Sequence, residues 1–173
     1  MKEALGWIRD IGIAVVIAAL LLTFFKPIVI KQESMQPTFY SDDYVVINKQ
    51  AYTLFGDLEH EDVIIFQSNL LDEKGGKKYL IKRVIGLPGD TIEIIDGYVY
   101  RNGKKLEEPY VAEEGASREM KPVIIEEGKM FVMGDNRGVS QDSRSPEIGQ
   151  VDQDTILGKV IIRVFPFDEI KLF

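Results

Sequence analysis

Three short segments carry residue types that could do covalent chemistry together. The first, Gln32-Glu33-Ser34-Met35-Gln36-Pro37-Thr38, offers a hydroxyl. A serine three residues before a proline is common in turns, so alone the segment reads as a structural turn. A serine hydroxyl is a weak nucleophile until a base takes its proton. The usual base is scarce here: the chain has one histidine, His60, in the acidic stretch Leu58-Glu59-His60-Glu61-Asp62, which reads as a solvated turn before a strand. Any Ser-His-Asp arrangement or His-rich metal site would have to be built around that one residue.

The second segment, Tyr79-Leu80-Ile81-Lys82-Arg83-Val84-Ile85-Gly86-Leu87-Pro88-Gly89-Asp90, sets two adjacent cations inside an apolar strand. Alternation sends Lys82 and Arg83 to opposite faces, so one of them should be surrounded by protein. Arginine does not act as a base in proteins, whereas the lysine pKa falls on desolvation. Serving as a base near neutral pH needs a fall of ~3 from the reference value, roughly 4 kcal/mol of destabilisation of the ammonium. Alone, the segment favours reading Lys82 as a snorkelling residue at a sheet edge. The third segment runs from Met133-Gly134-Asp135-Asn136-Arg137-Gly138 through Val139-Ser140-Gln141-Asp142-Ser143-Arg144-Ser145. Such a mixture makes turns and ion pairs rather than core. Its acidic residues suggest calcium, but the spacing departs from the EF-hand loop and the arginines oppose a cation.

The elements that must position these residues fall into two parts. Ile11 to Phe25 is an uncharged run of fifteen residues, and continuing through Ile30 gives about twenty interrupted only by Lys26, close to the ~20 that cross a bilayer. A spanning helix is therefore expected over 11–30. The flank Lys26-Pro27-Ile28-Val29-Ile30-Lys31 lacks the small-x-small pattern of a cleavable signal. A core helix would be apolar on one stripe rather than all round. Lys2 and Arg9 on one side match Lys26 and Lys31 on the other, so charge leaves orientation open.

Beyond Ile30 the pattern is strand and turn. Tyr44–Asn48, Val63–Phe66, Tyr79–Ile85, Thr91–Ile95, Tyr98–Tyr100, Met130–Met133 and Lys159–Val164 are rich in β-branched and aromatic residues. Asp96-Gly97 and Asn102-Gly103 are hairpin dipeptides, and Gly75-Gly76 sits in a charged stretch read as an exposed loop. The body is expected to be mainly antiparallel β, as one domain. Net charge is −7, and the residues after Ile30 are more acidic still, which excludes most nucleic-acid binding. With no cysteine, disulfides, thiol catalysis and Cys-ligated zinc are excluded.

In this order, behind an apolar segment, the motifs Ser-Met-x-Pro-Thr, Lys-Arg-x-x-Gly-x-Pro-Gly-Asp and Gly-Asp-Asn-Arg-x-x-Ser-x-Asp-Ser-Arg resemble those of type I signal peptidases. Asp62-Val63-Ile64-Ile65-Phe66 and Val99-Tyr100-Arg101-Asn102-Gly103-Lys104 are similar to further family segments, so the likeness spans nearly the whole chain. The resemblance implies an antiparallel β-sheet or partly open barrel, shared with self-cleaving repressors, behind one transmembrane helix. It implies a short cytoplasmic N-terminus at 1–10, the span at 11–30 and an extracytoplasmic peptidase domain at 31–173 of a bacterial cytoplasmic membrane protein. It assigns Ser34 as nucleophile, Lys82 as general base and Ser140 as the residue that hydrogen-bonds and orients the lysine amine. Asp142 with Arg144, and Asp135 with Arg83, would be supporting ion pairs. Gln32 stands where some members carry an oxyanion-stabilising serine, which leaves the Ser34 N–H as the main donor, aided by Gln32.

Substrates implied by the resemblance are signal peptides of exported preproteins, cut after Ala-x-Ala-like sites, with Ile28, Ile30, Gln32, Phe39, Leu80 and Ile81 lining shallow pockets. The substrate would pair as a strand beside Leu80 to Lys82. No cofactor, metal or nucleic acid is implied; membrane lipid and the secretion machinery are the other partners. Phe165-Pro166-Phe167 reads as either core or a lipid contact. Two rivals remain at this level. A self-cleaving repressor shares the Ser-Lys logic but has a DNA-binding domain and no span, and a membrane-anchored binding domain need not keep Ser34, Lys82 and Ser140 together.

Overall fold

The computed structural model describes residues 2–50, 58–113 and 118–173, with side chains from Gly6 onward. One helix, α1 (Lys2–Phe24), precedes twelve strands among the described residues: β1 (Phe25–Val29), β2 (Tyr44–Asn48), β3 (Val63–Leu71), β4 (Lys77–Gly86), β5 (Thr91–Ile95), β6 (Tyr98–Arg101), β7 (Lys104–Lys105), β8 (Met120–Ile124), β9 (Lys129–Met133), β10 (Val151–Asp152), β11 (Ile156–Phe165) and β12 (Lys171–Leu172). Every described strand pairing is antiparallel. The larger sheet runs β1-β2-β11-β3-β4-β9-β10, with β12 beside β11, and the smaller runs β7-β6-β5-β8. Neither sheet closes into a barrel.

The helix boundary corrects the expectation of a helix over 11–30. Helix α1 starts at Lys2 and stops at Phe24, and residues 25–29 form an edge strand paired with β2. Pro27 explains the change, since it cannot continue a helix yet is tolerated on a strand edge. From Gly6 to Phe24 the helix is long and apolar enough to cross a membrane, and none of that segment is buried in the protein. A core-helix reading is thereby excluded.

Strand β3 shows why its apolar run does not alternate with polar residues: both faces are covered. Val63 and Ile65 join a cluster with Ile30, Met35, Phe39, Val45, Ile47, Ile81 and Val160, whereas Ile64 and Phe66 join Leu80, Val84, Met130 and Val132. Ile85 of β4 enters a third cluster with Ile92, Ile94, Val99, Phe131 and Met133, which joins the small sheet to the large one. The Asp96-Gly97 and Asn102-Gly103 pairs all have positive φ, the backbone that two-residue hairpins require, and link β5 to β6 and β6 to β7.

Candidate active site

Ser34 is placed by its neighbours. It opens a turn in which the Phe39 N–H donates to the Met35 carbonyl at 2.9 Å, and Ile30, Met35 and Phe39 are buried in the first apolar cluster. The serine thus rides on a segment pinned by large side chains. Strand β4 places Lys82. Seven consecutive residues from Leu80 to Gly86 are buried, and the register with β3 sets Lys82 opposite Ile64. Both adjacent cations are buried, rather than one of the two: Lys82 is 1% exposed and Arg83 7%.

Lys82 Nζ lies 2.6 Å from Ser34 Oγ and donates to the carbonyl of Ile81 at 2.8 Å. Burial pushes the Lys82 pKa down from 10.5 to about 8, against an opposing pull from the Asp142 carboxylate. A hydroxyl in contact with an amine whose neutral form is favoured by burial can lose its proton to that amine, which is the chemical requirement for a serine nucleophile.

Arg83, on the opposite face, forms a two-pronged pair with Asp135: Nε donates to Oδ1 at 2.8 Å and Nη2 to Oδ2 at 2.6 Å. Thr38 Oγ1 donates to the same carboxylate at 2.5 Å. Arg144 holds Asp142 in the same manner, Nε to Oδ1 and Nη2 to Oδ2, both at 2.8 Å. Burial acts to raise the Asp142 pKa but is outweighed by Arg144, with help from the Gly134 N–H, so this carboxyl stays ionised. Asp142 in turn receives the Gly134 N–H at 2.9 Å. Both expected ion pairs are present, and each consumes an acid that could have held calcium. Among the described residues, no group of three His, Asp or Glu side chains could hold a metal.

Two expectations need correction. The hydrogen bond from Ser140 to the Lys82 amine is not formed: Ser140 Oγ is buried and meets no hydrogen-bond geometry, Asp142 included. It packs against Gly134, where any Cβ would overlap both Ser140 Oγ and the Ser34 carbonyl oxygen. The second concerns the substrate pocket. A cleft of about 290 Å³ beside Ser34 and Lys82 is lined by Gln32, Glu33, Lys78, Leu80, Val139 and Gln141 as well. Gln32 and Leu80 are therefore cleft residues, whereas Ile30, Phe39 and Ile81 are buried core and Ile28 packs against that core. Large apolar residues next to a reactive one look like pocket walls in the sequence, but Ile30, Phe39 and Ile81 instead anchor the backbone that carries it. Gln32 donates its side-chain amide to the Tyr79 carbonyl at 3.3 Å, so that amide is engaged on β4.

Strand β9 pairs with β4 only from Arg83 onward, so residues 79–82 have, among the described residues, a strand neighbour on one edge alone. The carbonyls of Tyr79 and Ile81 accept side-chain donors instead. His60 lies outside the cleft, 2.7 Å from Asp90. Sequence reasoning missed Val139, Gln141, Glu33 and Lys78 as cleft residues, because nothing in a turn-rich or charged stretch marks them as lining one. It also missed the contacts of Glu108 with Arg137 and of Tyr110 with Arg83. Arg137 stands inside a motif; Glu108 and Tyr110 carry no signal.

Comparisons with known proteins agree with this architecture. The profile of the family described as "Signal peptidase, peptidase S26" matches residues 4–165. A signal peptidase IB of Staphylococcus aureus (strain COL) is 38% identical over 188 aligned positions, covering 98% of this chain and 94% of its own. A signal peptidase I of Bacillus licheniformis is 38% identical over 175 positions, covering 95% and 90%. The crystal structure of a signal peptidase I from Enterococcus faecalis V583 matches with a TM-score of 0.50 and 32% identity, over 60% of this chain and 96% of that one. The chain belongs to the signal peptidase family, peptidase S26, and is a serine peptidase.

Proposed function

We propose that the protein is a membrane-anchored type I signal peptidase that removes signal peptides from exported preproteins with a Ser34–Lys82 dyad. The observation that carries this reading is the buried 2.6 Å approach of Lys82 Nζ to Ser34 Oγ. Neutral Lys82 accepts the hydroxyl proton as Ser34 Oγ attacks the scissile carbonyl. The lysine ammonium then gives that proton to the departing amine, leaving an acyl-serine. Water, deprotonated by the again neutral lysine, attacks the ester, and as the acyl–oxygen bond breaks the lysine ammonium returns that proton to Ser34 Oγ, restoring the hydroxyl and the neutral amine. The Ser34 N–H is the expected donor to the developing oxyanion.

The one-sided edge of β4 suits β-addition of an extended substrate. Its arrival would displace the Gln32 amide from the Tyr79 carbonyl. The small cleft, with Leu80 and Val139 as its apolar contributors, supports a preference for small residues, as in Ala-x-Ala-like sites. Anchoring is supported by the exposed apolar face of α1, whose nineteen-residue segment Gly6–Phe24 would extend about 28 Å, near the thickness of a hydrocarbon core. Phe165 and Phe167 are exposed rather than core, meet edge to face, and share their surface with Tyr44 of the strand paired to β1. The register sets Tyr44 opposite Val29, the end of β1 away from the helix; aromatic side chains so exposed would rest on lipid, with the peptidase domain on the extracytoplasmic side beside the secretion machinery. Retention of α1, rather than its removal as a signal, is supported by its direct continuation into β1, where a cut would fall within a paired strand.

The test is incubation of the purified protein with a preprotein, followed by mass measurement of the new N-terminus. Cleavage after a small-x-small site by the wild type, and none by folded S34A or K82A, is expected. Appreciable cleavage by either variant would overturn the dyad.

A further inference from the structure

The described segment 106–113, beyond β7, leaves the small sheet and reaches back to the loop that follows β9. Its Glu108 meets Arg137 in a two-pronged pair, Nη2 to Oε1 at 2.5 Å and Nη1 to Oε2 at 2.9 Å. The two side chains are 12% and 2% exposed, so the pair is set in protein. The remaining donor of Arg137, Nε, bonds the Gly134 carbonyl at 3.0 Å. The other end of that residue, its N–H, is held by Asp142, and two residues on, the Asn136 N–H donates to the Ser34 carbonyl at 3.0 Å. Tyr110, two residues beyond Glu108, donates its hydroxyl to Glu108 at 3.1 Å and lays its ring 4.0 Å from the Arg83 guanidinium. Arg83 grips Asp135, the neighbour of Gly134.

We propose that Glu108 is a positioning residue for catalysis: it fixes Arg137, and through it the Gly134–Asn136 backbone against which Ser34 is registered to Lys82. The inference rests on the Ser34–Lys82 reading. The chemistry of the pair explains why a carboxylate is needed. A guanidinium so enclosed is held in one orientation by two acceptor oxygens matched to its fork, and only then does Nε stay aimed at the Gly134 carbonyl. Without Glu108, an unmatched buried cation draws Arg137 toward solvent or another acceptor. The Gly134 carbonyl is released. Gly134 lies so close to Ser34 and Ser140 that a Cβ would not fit, so a shift there moves the serine. Misplacement of a reacting group by about 1 Å costs on the order of a hundredfold in rate.

The experiment measures kcat and KM of the full-length protein in detergent on one preprotein, for wild type, E108Q and E108A, with rates expressed per folded molecule from circular dichroism at the assay temperature. We expect kcat of E108A to fall roughly a hundredfold while KM stays near wild type. E108Q keeps the shape and one acceptor oxygen and falls in between. A lowered melting temperature with kcat per folded molecule within about twofold of wild type, the result of a merely structural role, would overturn the proposal. Should E108A fail to fold, E108Q decides: an undiminished kcat overturns the role, and a fall at constant KM supports it. An inactive wild type would instead sink the peptidase reading, and the role of Glu108 with it.

Discussion

At the scale of single residues, Lys82 is costly to the fold for the same reason that the proposed mechanism can use it. Burial favours its neutral form, taking its pKa from 10.5 to about 8. The unfolded chain therefore holds one more proton than the folded one between those values, and stability rises with pH across that window. Below about pH 8 the lysine is charged in both states and the cost is fully present, on the order of 3 kcal/mol. K82M should accordingly be inactive yet more stable than wild type by about that amount near pH 7, with the advantage fading toward pH 10.5. Thermal melts of both proteins across that range check the sign. Activity should show the same group, rising with pH through a midpoint of about 8. K82R keeps the charge but cannot release it, so it should be as inactive as K82A in the same assay.

At the scale of elements, two loops and one strand bring the dyad together across 48 positions of chain. The Ser34 turn is pinned by Met35 and Phe39, β4 is buried on both faces, and the 134–145 loop is held by paired charges. D135A leaves Arg83 unmatched in a buried site and should destabilise the fold by about 3–5 kcal/mol. In a chain of this size that is a fall of roughly 10 °C in melting temperature, and an unchanged midpoint would count against a structural role for the pair. This level also marks how far the sequence could be read. The strands with a strong β-branched signature, such as β2 and β5, were legible to the residue, as were the two Gly-containing hairpins. Strands β7, β10 and β12 have only two residues each, too few to show a period, and β8 hides behind Pro122 on an edge. Ser34, Lys82 and both ion pairs were legible because motif order tied them together. The roles of Phe39 and Ile81 were not, because an apolar residue beside a nucleophile looks the same in sequence whether it faces a cleft or a core. Glu108 was invisible because its partner Arg137 is 29 positions away and nothing local demands an acid there.

At the scale of the molecule, α1 touches little of the body that follows it, and none of the segment Gly6–Phe24 is buried. Its work on this account is to hold enzyme and substrate on one surface, where effective concentration replaces intrinsic affinity. A chain beginning at Phe25 keeps β1 and should retain kcat/KM on a short soluble peptide within a few-fold. On a preprotein embedded in vesicles it should fall by roughly a hundredfold or more. Equal losses on both substrates would mean that the helix serves the fold or the cleft rather than the encounter.

The central physical claim is that the Lys82 amine is deprived of water and loses its proton readily beside Ser34. Side-chain NMR of the protein labelled at lysine Cε, titrated with pH and assigned by comparison with K82R, measures this directly. One lysine should titrate with a midpoint of about 8 and vanish from the K82R spectrum. A Lys82 resonance titrating with the bulk of the lysines, near the ordinary value of about 10.4, would contradict the account.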